Sequence, residues 1–201
     1  LGSLAAWRRG SRTDVGLTAV NLLAYSMPHY WLAMLLLFIF SFRLDLFPLG
    51  RATTGGLSGV PLVLDVIWHM LLPLVVITIF KAAYDFLIVR NSAVAILGED
   101  YILMAQAKGL SGMSVLFRHV LRNALAPLLT VTALQFGMVL SGALLVEVVF
   151  SWPGMGTLIY DAIGARDYPL LQSAFLIVAL CVLAANFIAD VLYPLLDPRA
   201  R

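Results

Sequence analysis

Of 201 residues, 62% are hydrophobic and 12% charged, with a net charge of +2 and a mean hydropathy of +0.96. A soluble domain carries about half apolar and a quarter charged residues, so this composition excludes one and describes an integral membrane protein. The small net charge, spread over loops, argues against nucleic acid as a partner. The lone Cys181, set in an apolar run, reads as an inert small hydrophobe.

The chain opens on LGSLAAWRRGS, which lacks the architecture of a cleavable leader and reads as the polar exit of an earlier helix. The expectation is a fragment whose missing part lies N-terminal to Leu1. A bilayer core of about 30 Å takes about 20 apolar helical residues. Four segments meet that length: Gly16 to Phe42, Val63 to Val89, Leu125 to Val149 and Leu170 to Pro194. The fold class predicted is therefore an all-α polytopic membrane bundle, a single domain over residues 1–201. Pro28 and Pro73 lie inside spans, where neighbours can satisfy the freed carbonyl, and each is expected to mark a kink.

Orientation follows from the basic residues of short loops. Arg8, Arg9 and Arg12 precede the first span, Arg90, Lys108, Arg118 and Arg122 fall between the second and third, and Arg199 and Arg201 close the chain. The other side holds Arg43, Arg51 and Arg166. The loop over residues 91–124 is thus cytoplasmic. Lys81, inside the second span and four residues before Asp85, reads as a snorkelling, locally paired lysine in preference to a proton relay.

Within that loop, AQAKGLSGMSVLFRHVLRNALAP has the rhythm of a helical hairpin. Tyr101, Met104 and Ala105 recur at helical spacing, Gly109 supplies a stop, and Ser111 or Ser114 can cap the second limb. Arg118 and Arg122 share one face of it, leaving Leu116 and Val120 to pack inward. One reading is a solvated amphipathic connector resting on anionic headgroups. GLSG at 109–112 also fits the GxSG pattern of rhomboid intramembrane proteases. Ser111, however, lies between Lys108 and Arg118 in a loop rather than in an apolar helix beside a histidine base, so a turn or cap is the better reading.

On the outer side, EVVFSWPGMGTLIYDAIGARDYP joins a tight aromatic turn to an amphipathic run in which Leu158, Ile159, Ala162 and Ile163 are expected on one side. An interfacial aromatic belt accounts for it in the simplest way. RATTGGLSG, residues 51–59, is a second, flexible outer loop. Polar residues inside spans mark either a solute path or interhelical hydrogen bonds: Asn21, Ser26, His29, Gln135, Ser141 and Asn186. Gly137, Ser141 and Gly142 suit close helix packing. His29 and His69 are too isolated for a metal site.

EDYILMAQAKGLSGMSVLFRHVLRNALAP resembles the cytoplasmic EAA loop of binding-protein-dependent ABC importer permeases, in the form carried by the dipeptide, oligopeptide and nickel branch. The likeness extends over nearly the whole chain through RRGSRTD, SMPHYW, HMLLP, EVVFSWPGMG, RDYP and NFIADVLYPLLDPRAR, in that order. One position departs: the glutamate that gives the loop its name falls at Leu103, so no contact of that carboxylate carries over. The resemblance implies a type I importer transmembrane domain, usually six spans, in a bacterial or archaeal cytoplasmic membrane. It implies a homologous second permease, two ATPase subunits and an extracytoplasmic binding protein as partners, with membrane lipid around them. Tyr101, Ala105, Ala107, Lys108, Gly109, Leu110, Arg118, His119, Arg122 and Asn123 would form the ATPase-coupling loop, small residues leaving room for the partner. Glu147, Phe150, Trp152, Pro153, Gly154, Gly156, Asp167 and Tyr168 would form the outer gate and the binding-protein contact. No GxxxxGK[ST] phosphate cradle occurs in the sequence, so ATP and magnesium belong to the partner and no cofactor is expected here. Solutes served by the family include dipeptides, oligopeptides, nickel chelates, glutathione and sugars. A secondary transporter is the alternative, but it wants a mid-membrane ion site these spans hardly offer.

Overall fold

The computed structural model describes residues 1–128, 131–132 and 144–196, and every regular element among them is helical. The helices are α1 (Gly2–Trp7), α2 (Arg12–Ser26), α3 (His29–Leu36, winding on as a π-helical stretch Leu37–Arg43), α4 (Val60–Leu97) and α5 (Asp100–Ala107). Then come α6 (Gly112–Ser114, a π-helical stretch Val115–Leu121, and helix on to 128), α7 (Leu144–Val149), α8 (Met155–Ala165) and α9 (Tyr168–Leu196).

Among the described residues, two helices are long and apolar enough to cross a membrane: α4 and, over Tyr168–Ile188, α9. The pair Arg12–Ser26 and His29–Arg43 makes a third if it counts as one span. The first expected span is therefore not a kinked helix but a broken one. Pro28 has no N–H to donate and disfavours helical backbone at the residue before it, so α2 stops at Ser26 and Pro28 becomes the N-cap of α3. Pro73, in contrast, sits inside α4 without ending it. That helix also runs on to Leu97, so the first residues of the 91–124 loop are helix rather than loop. Most of the third expected span, including Gln135, Gly137, Ser141 and Gly142, lies outside the described residues.

The chain divides into two compact units. The first holds residues 1–26, 80–134 and 190–201. Its core gathers Ala6 from α1, Val89 and Ala93 from α4, Ile102 and Ala105 from α5, and Val115, Leu116, Val120 and Ala124 from α6, with Trp7 packed against them. Small residues let the backbones approach: a Cβ on Gly2 would lie 2.8 Å from the Phe86 carbonyl oxygen, and one on Gly112 would lie 2.9 Å from the Trp7 ring. The π-helical stretch serves this core. Val115 and Ala124 are nine residues apart, which at about 3.6 residues per turn puts them on opposite faces of an α-helix; the wider winding brings both inward.

The second unit holds residues 27–79 and 135–189. Helix α7 packs on α3 and α8, burying Ala33, Val146, Phe150, Ile159 and Ala162. Phe47 stacks on Trp68 with centroids 4.8 Å apart. The loop before α4 is pinned by Asp65, whose carboxylate accepts the Thr54 N–H at 2.8 Å and whose carbonyl lies 2.8 Å from Nδ1 of buried His69. Along α9, Leu176, Leu180, Leu183 and Phe187 recur at helical spacing and are all exposed, as a lipid-facing stripe should be.

Candidate functional site

The hairpin is built from the inside out. Helix α5 closes in a full glycine cap: Gly109, at φ +81°, donates its N–H to the Gln106 carbonyl at 2.9 Å, and Leu110 donates to the Ala105 carbonyl at 3.3 Å. Ser111 then caps α6, its Oγ accepting the Ser114 N–H at 3.4 Å, as the cap reading requires of it. Across the limbs, Asn123 Nδ2 donates to Tyr101 Oη at 3.0 Å and to the His119 carbonyl at 2.8 Å. Ile102, Val115, Leu116 and Val120 are fully buried between the limbs and the rest of the unit.

What is left outside is the tip. Ala107, Lys108, Gly109 and Leu110 are exposed, as are Arg118 and Arg122, while His119 is half-buried. Met113 and Phe117 are exposed apolar side chains at 57% and 51%, a costly display unless something covers them. Ala105 is the correction: at 7% exposure it faces this chain's own core, because its position one turn after Ile102 falls on the inner stripe of α5. It cannot leave room for a partner.

A pair that the sequence reading missed ties the unit together. Arg90 on α4 donates from Nε to Asp14 Oδ1 at 2.7 Å and from a terminal nitrogen to Oδ2 at 2.8 Å. Asp14 also accepts the Gly10 N–H at 3.0 Å, and its own N–H goes to Ser11 Oγ at 3.2 Å. The Ser11–x–x–Asp14 spacing was a visible helix-start signal; its partner 76 residues on was not. In α4 itself, Lys81 pairs with Asp85, as their spacing implies.

The elbow between α7 and α8 uses its polar residues internally. Glu147 Oε2 accepts the Gly156 N–H at 2.7 Å, at the start of α8, and the Glu147 carbonyl accepts the Trp152 N–H at 2.8 Å. Gly154 donates to Thr157 Oγ1 at 3.0 Å, whose hydroxyl donates to the Trp152 carbonyl at 2.9 Å. A Cβ on Gly156 would lie 2.5 Å from Leu144 Cα, and one on Gly154 would run into the Glu147 carboxylate. Phe150 is buried and its carbonyl accepts the Arg51 N–H at 2.9 Å. Pro153, Asp167 and Tyr168 are exposed and Trp152 is half-buried. Of the four residues expected on one side of α8, Ile159 and Ala162 turn inward while Leu158 and Ile163 are exposed, so the four do not share one side.

Of the polar residues inside spans, Asn21 and Ser26 hydrogen-bond back to their own helix, to the Leu17 carbonyl at 2.8 Å and the Leu22 carbonyl at 2.7 Å. His29 opens α3. Asn186 has a buried side-chain oxygen with no hydrogen-bond partner among the described residues. Gln135 and Ser141 lie outside them.

All 201 residues match the family described as binding-protein-dependent transport system inner membrane component. Over its whole length the chain is 42% identical to the di/tripeptide transport system permease protein DppB of Pseudomonas aeruginosa and 39% identical to the dipeptide transport system permease protein DppB of Escherichia coli. Over 98% of its length it is 36% identical to the oligopeptide transport system permease protein AppB of Bacillus subtilis. It spans less than two thirds of each relative: 64%, 65% and 62%.

Proposed function

The chain belongs to the binding-protein-dependent transport system inner membrane components, and from that premise we propose that it is a permease subunit of an ATP-driven importer of short peptides. The observation that carries this reading is the match, over the whole chain or nearly so, to permeases named for the transport of short peptides. The hairpin geometry agrees with it. A rigid, core-backed prong displays Ala107, Lys108, Gly109, Leu110, Met113 and Phe117, which suits insertion into a groove of a separate ATPase, with Arg118 and Arg122 beside it for an acidic rim. Exposed ion pairs of that kind contribute about 0–1 kcal/mol each, so the apolar tip and its shape carry the docking. Trp152, Pro153, Asp167 and Tyr168 form the outer surface offered to a binding protein, held in place by the Glu147–Gly156 bond behind them.

In this reading two permease chains enclose the path and two ATPases drive it. ATP shifts the population toward the outward-facing state because the closed ATPase pair fits the hairpins better there. This chain breaks no bond in the solute. The test is uptake of radiolabelled dialanine into vesicles holding the full-length chain with its second permease and ATPases. Uptake that requires both ATP and the binding protein supports the reading; uptake driven by a proton or sodium gradient without ATP makes the chain a secondary transporter.

A further inference from the structure

Between His69 and Arg90, helix α4 carries just two charged residues, Lys81 and Asp85. Counting back from Arg90 at about 1.5 Å per residue, Asp85 lies about 7 Å and Lys81 about 13 Å along the helix axis. With Arg90 at the cytoplasmic edge, both fall inside a hydrocarbon layer of about 30 Å. They pair with each other, and Lys81 Nζ also reaches Thr132 Oγ1 at 3.4 Å. Their side chains nevertheless stay 33% and 29% exposed, while Ala83 and Phe86, on the other side of the helix, are buried.

Lipid is a poor neighbour for this face. A lysine relieves such a position by stretching its head toward the headgroups, but this ammonium is held at Asp85, and a carboxylate on one methylene cannot stretch at all. A dry protein interface is poor too. Among the described residues the ammonium, with three donors, reaches two acceptors, and the carboxylate receives one donor. A charged pair left part-exposed at this depth asks for water or a polar ligand beside it, which places this face on an aqueous path. A ligand carrying both signs of charge fits best. Its carboxylate replaces Asp85 at the ammonium while its own ammonium replaces Lys81 at the carboxylate, so one internal pair becomes two intermolecular ones and the site stays neutral throughout. A singly charged solute would strand one of the two side chains.

We propose that Lys81 and Asp85 form a charged station on the translocation path that takes a zwitterionic solute, its carboxylate on the Lys81 ammonium and its ammonium on the Asp85 carboxylate. The station rests on the importer reading above. It is tested in vesicles holding the complete transporter, with radiolabelled dialanine as the probe. The variant Lys81→Met/Asp85→Leu removes both charges at similar volume. The expected result is a normal amount of transporter, ATP hydrolysis stimulated by the binding protein to within about twofold of wild type, and dialanine uptake lowered at least tenfold. Uptake at the wild-type rate would overturn the station and leave the importer reading standing, since apolar residues suit lipid or a dry interface. A second variant, Lys81→Met/Asp85→Cys with Cys181→Ser, reads the face without needing transport. Reaction with a charged water-soluble thiosulfonate in inverted vesicles, slowed by dialanine, supports the station; protection from that reagent overturns it. Wild-type vesicles that hydrolyse ATP under binding-protein control yet exclude dialanine would instead overturn the peptide reading, and with it the solute assigned to the station.

Discussion

Replacing Asp14 with alanine strands the Arg90 guanidinium, and the cost follows from what Asp14 holds. Its carboxylate accepts two hydrogen bonds from Arg90 and one each from the Gly10 N–H and the Thr18 hydroxyl, and its side chain is only 3% exposed. Removing one partner of a buried pair costs about 3–5 kcal/mol. Arg90, 20% exposed, can recover some water, so the lower end applies: about 3 kcal/mol. For a chain of this size that is a fall of roughly 6–12 °C in the midpoint of thermal unfolding. Arg90→Ala should fall by a comparable amount, and Asp14→Leu/Arg90→Met should recover most of the loss because it leaves no charge unpaired. The measurement is thermal unfolding of the purified full-length protein in micelles, followed by circular dichroism, as a double-mutant cycle with Asp14→Ala/Arg90→Ala. Single substitutions that add to within about 0.5 kcal/mol would show that the two groups do not act as a pair, and the account of this unit would be wrong.

Gly109→Glu puts a side chain at φ +81° and a carboxylate at the hairpin tip; since no atom lies within 4 Å of the added Cβ, the chain should reach the membrane at normal levels yet lose its ATPase in pull-downs. Wild-type recovery of the ATPase would make the hairpin a mere connector. Gly156→Ala has no such room, and with Leu144 Cα at 2.5 Å it should unseat α8 and lower the amount of protein surviving trypsin added from outside several-fold. Orientation is checked by thiol labelling on a Cys181→Ser background: Ser58→Cys should react with an impermeant reagent in intact cells and Ser111→Cys should not. The reverse pattern would put the hairpin on the wrong side for an ATPase.

What could be read from the sequence was local. Gly109 and Ser111 announce a helix stop and a helix start because glycine and serine do so through their own backbone and hydroxyl, and the structure uses them that way. Lys81 and Asp85 are one helical turn apart, so their pairing follows from spacing. The composition gave the all-helical membrane class without any contact being known. Long-range features were not legible. Arg90 read as a topology-setting base, since nothing local tells that it meets Asp14, 76 residues away. Ala105 looked like a small residue left for a partner because face assignment on an eight-residue helix depends on what packs behind it. Glu147 was expected at the outer gate and binding-protein contact, and nothing local told that its carboxylate accepts a backbone N–H nine residues on. The break at Pro28 turned on whether proline ends a helix or merely bends it, and Pro73 shows that the same residue type does not end α4.

The wide winding of Val115–Leu121 amounts to one residue inserted into an α-helix. Everything beyond it, Arg122 and Asn123 included, is therefore rotated by about 100° from where uninterrupted α-helical winding would aim it. Asn123 meets Tyr101 only in that rotated setting. A single deletion inside the stretch would keep nearly every side chain of the limb and still re-aim its far half, breaking the brace and turning Arg122 away. The face this hairpin shows is fixed by the length of the limb as much as by the residues in it.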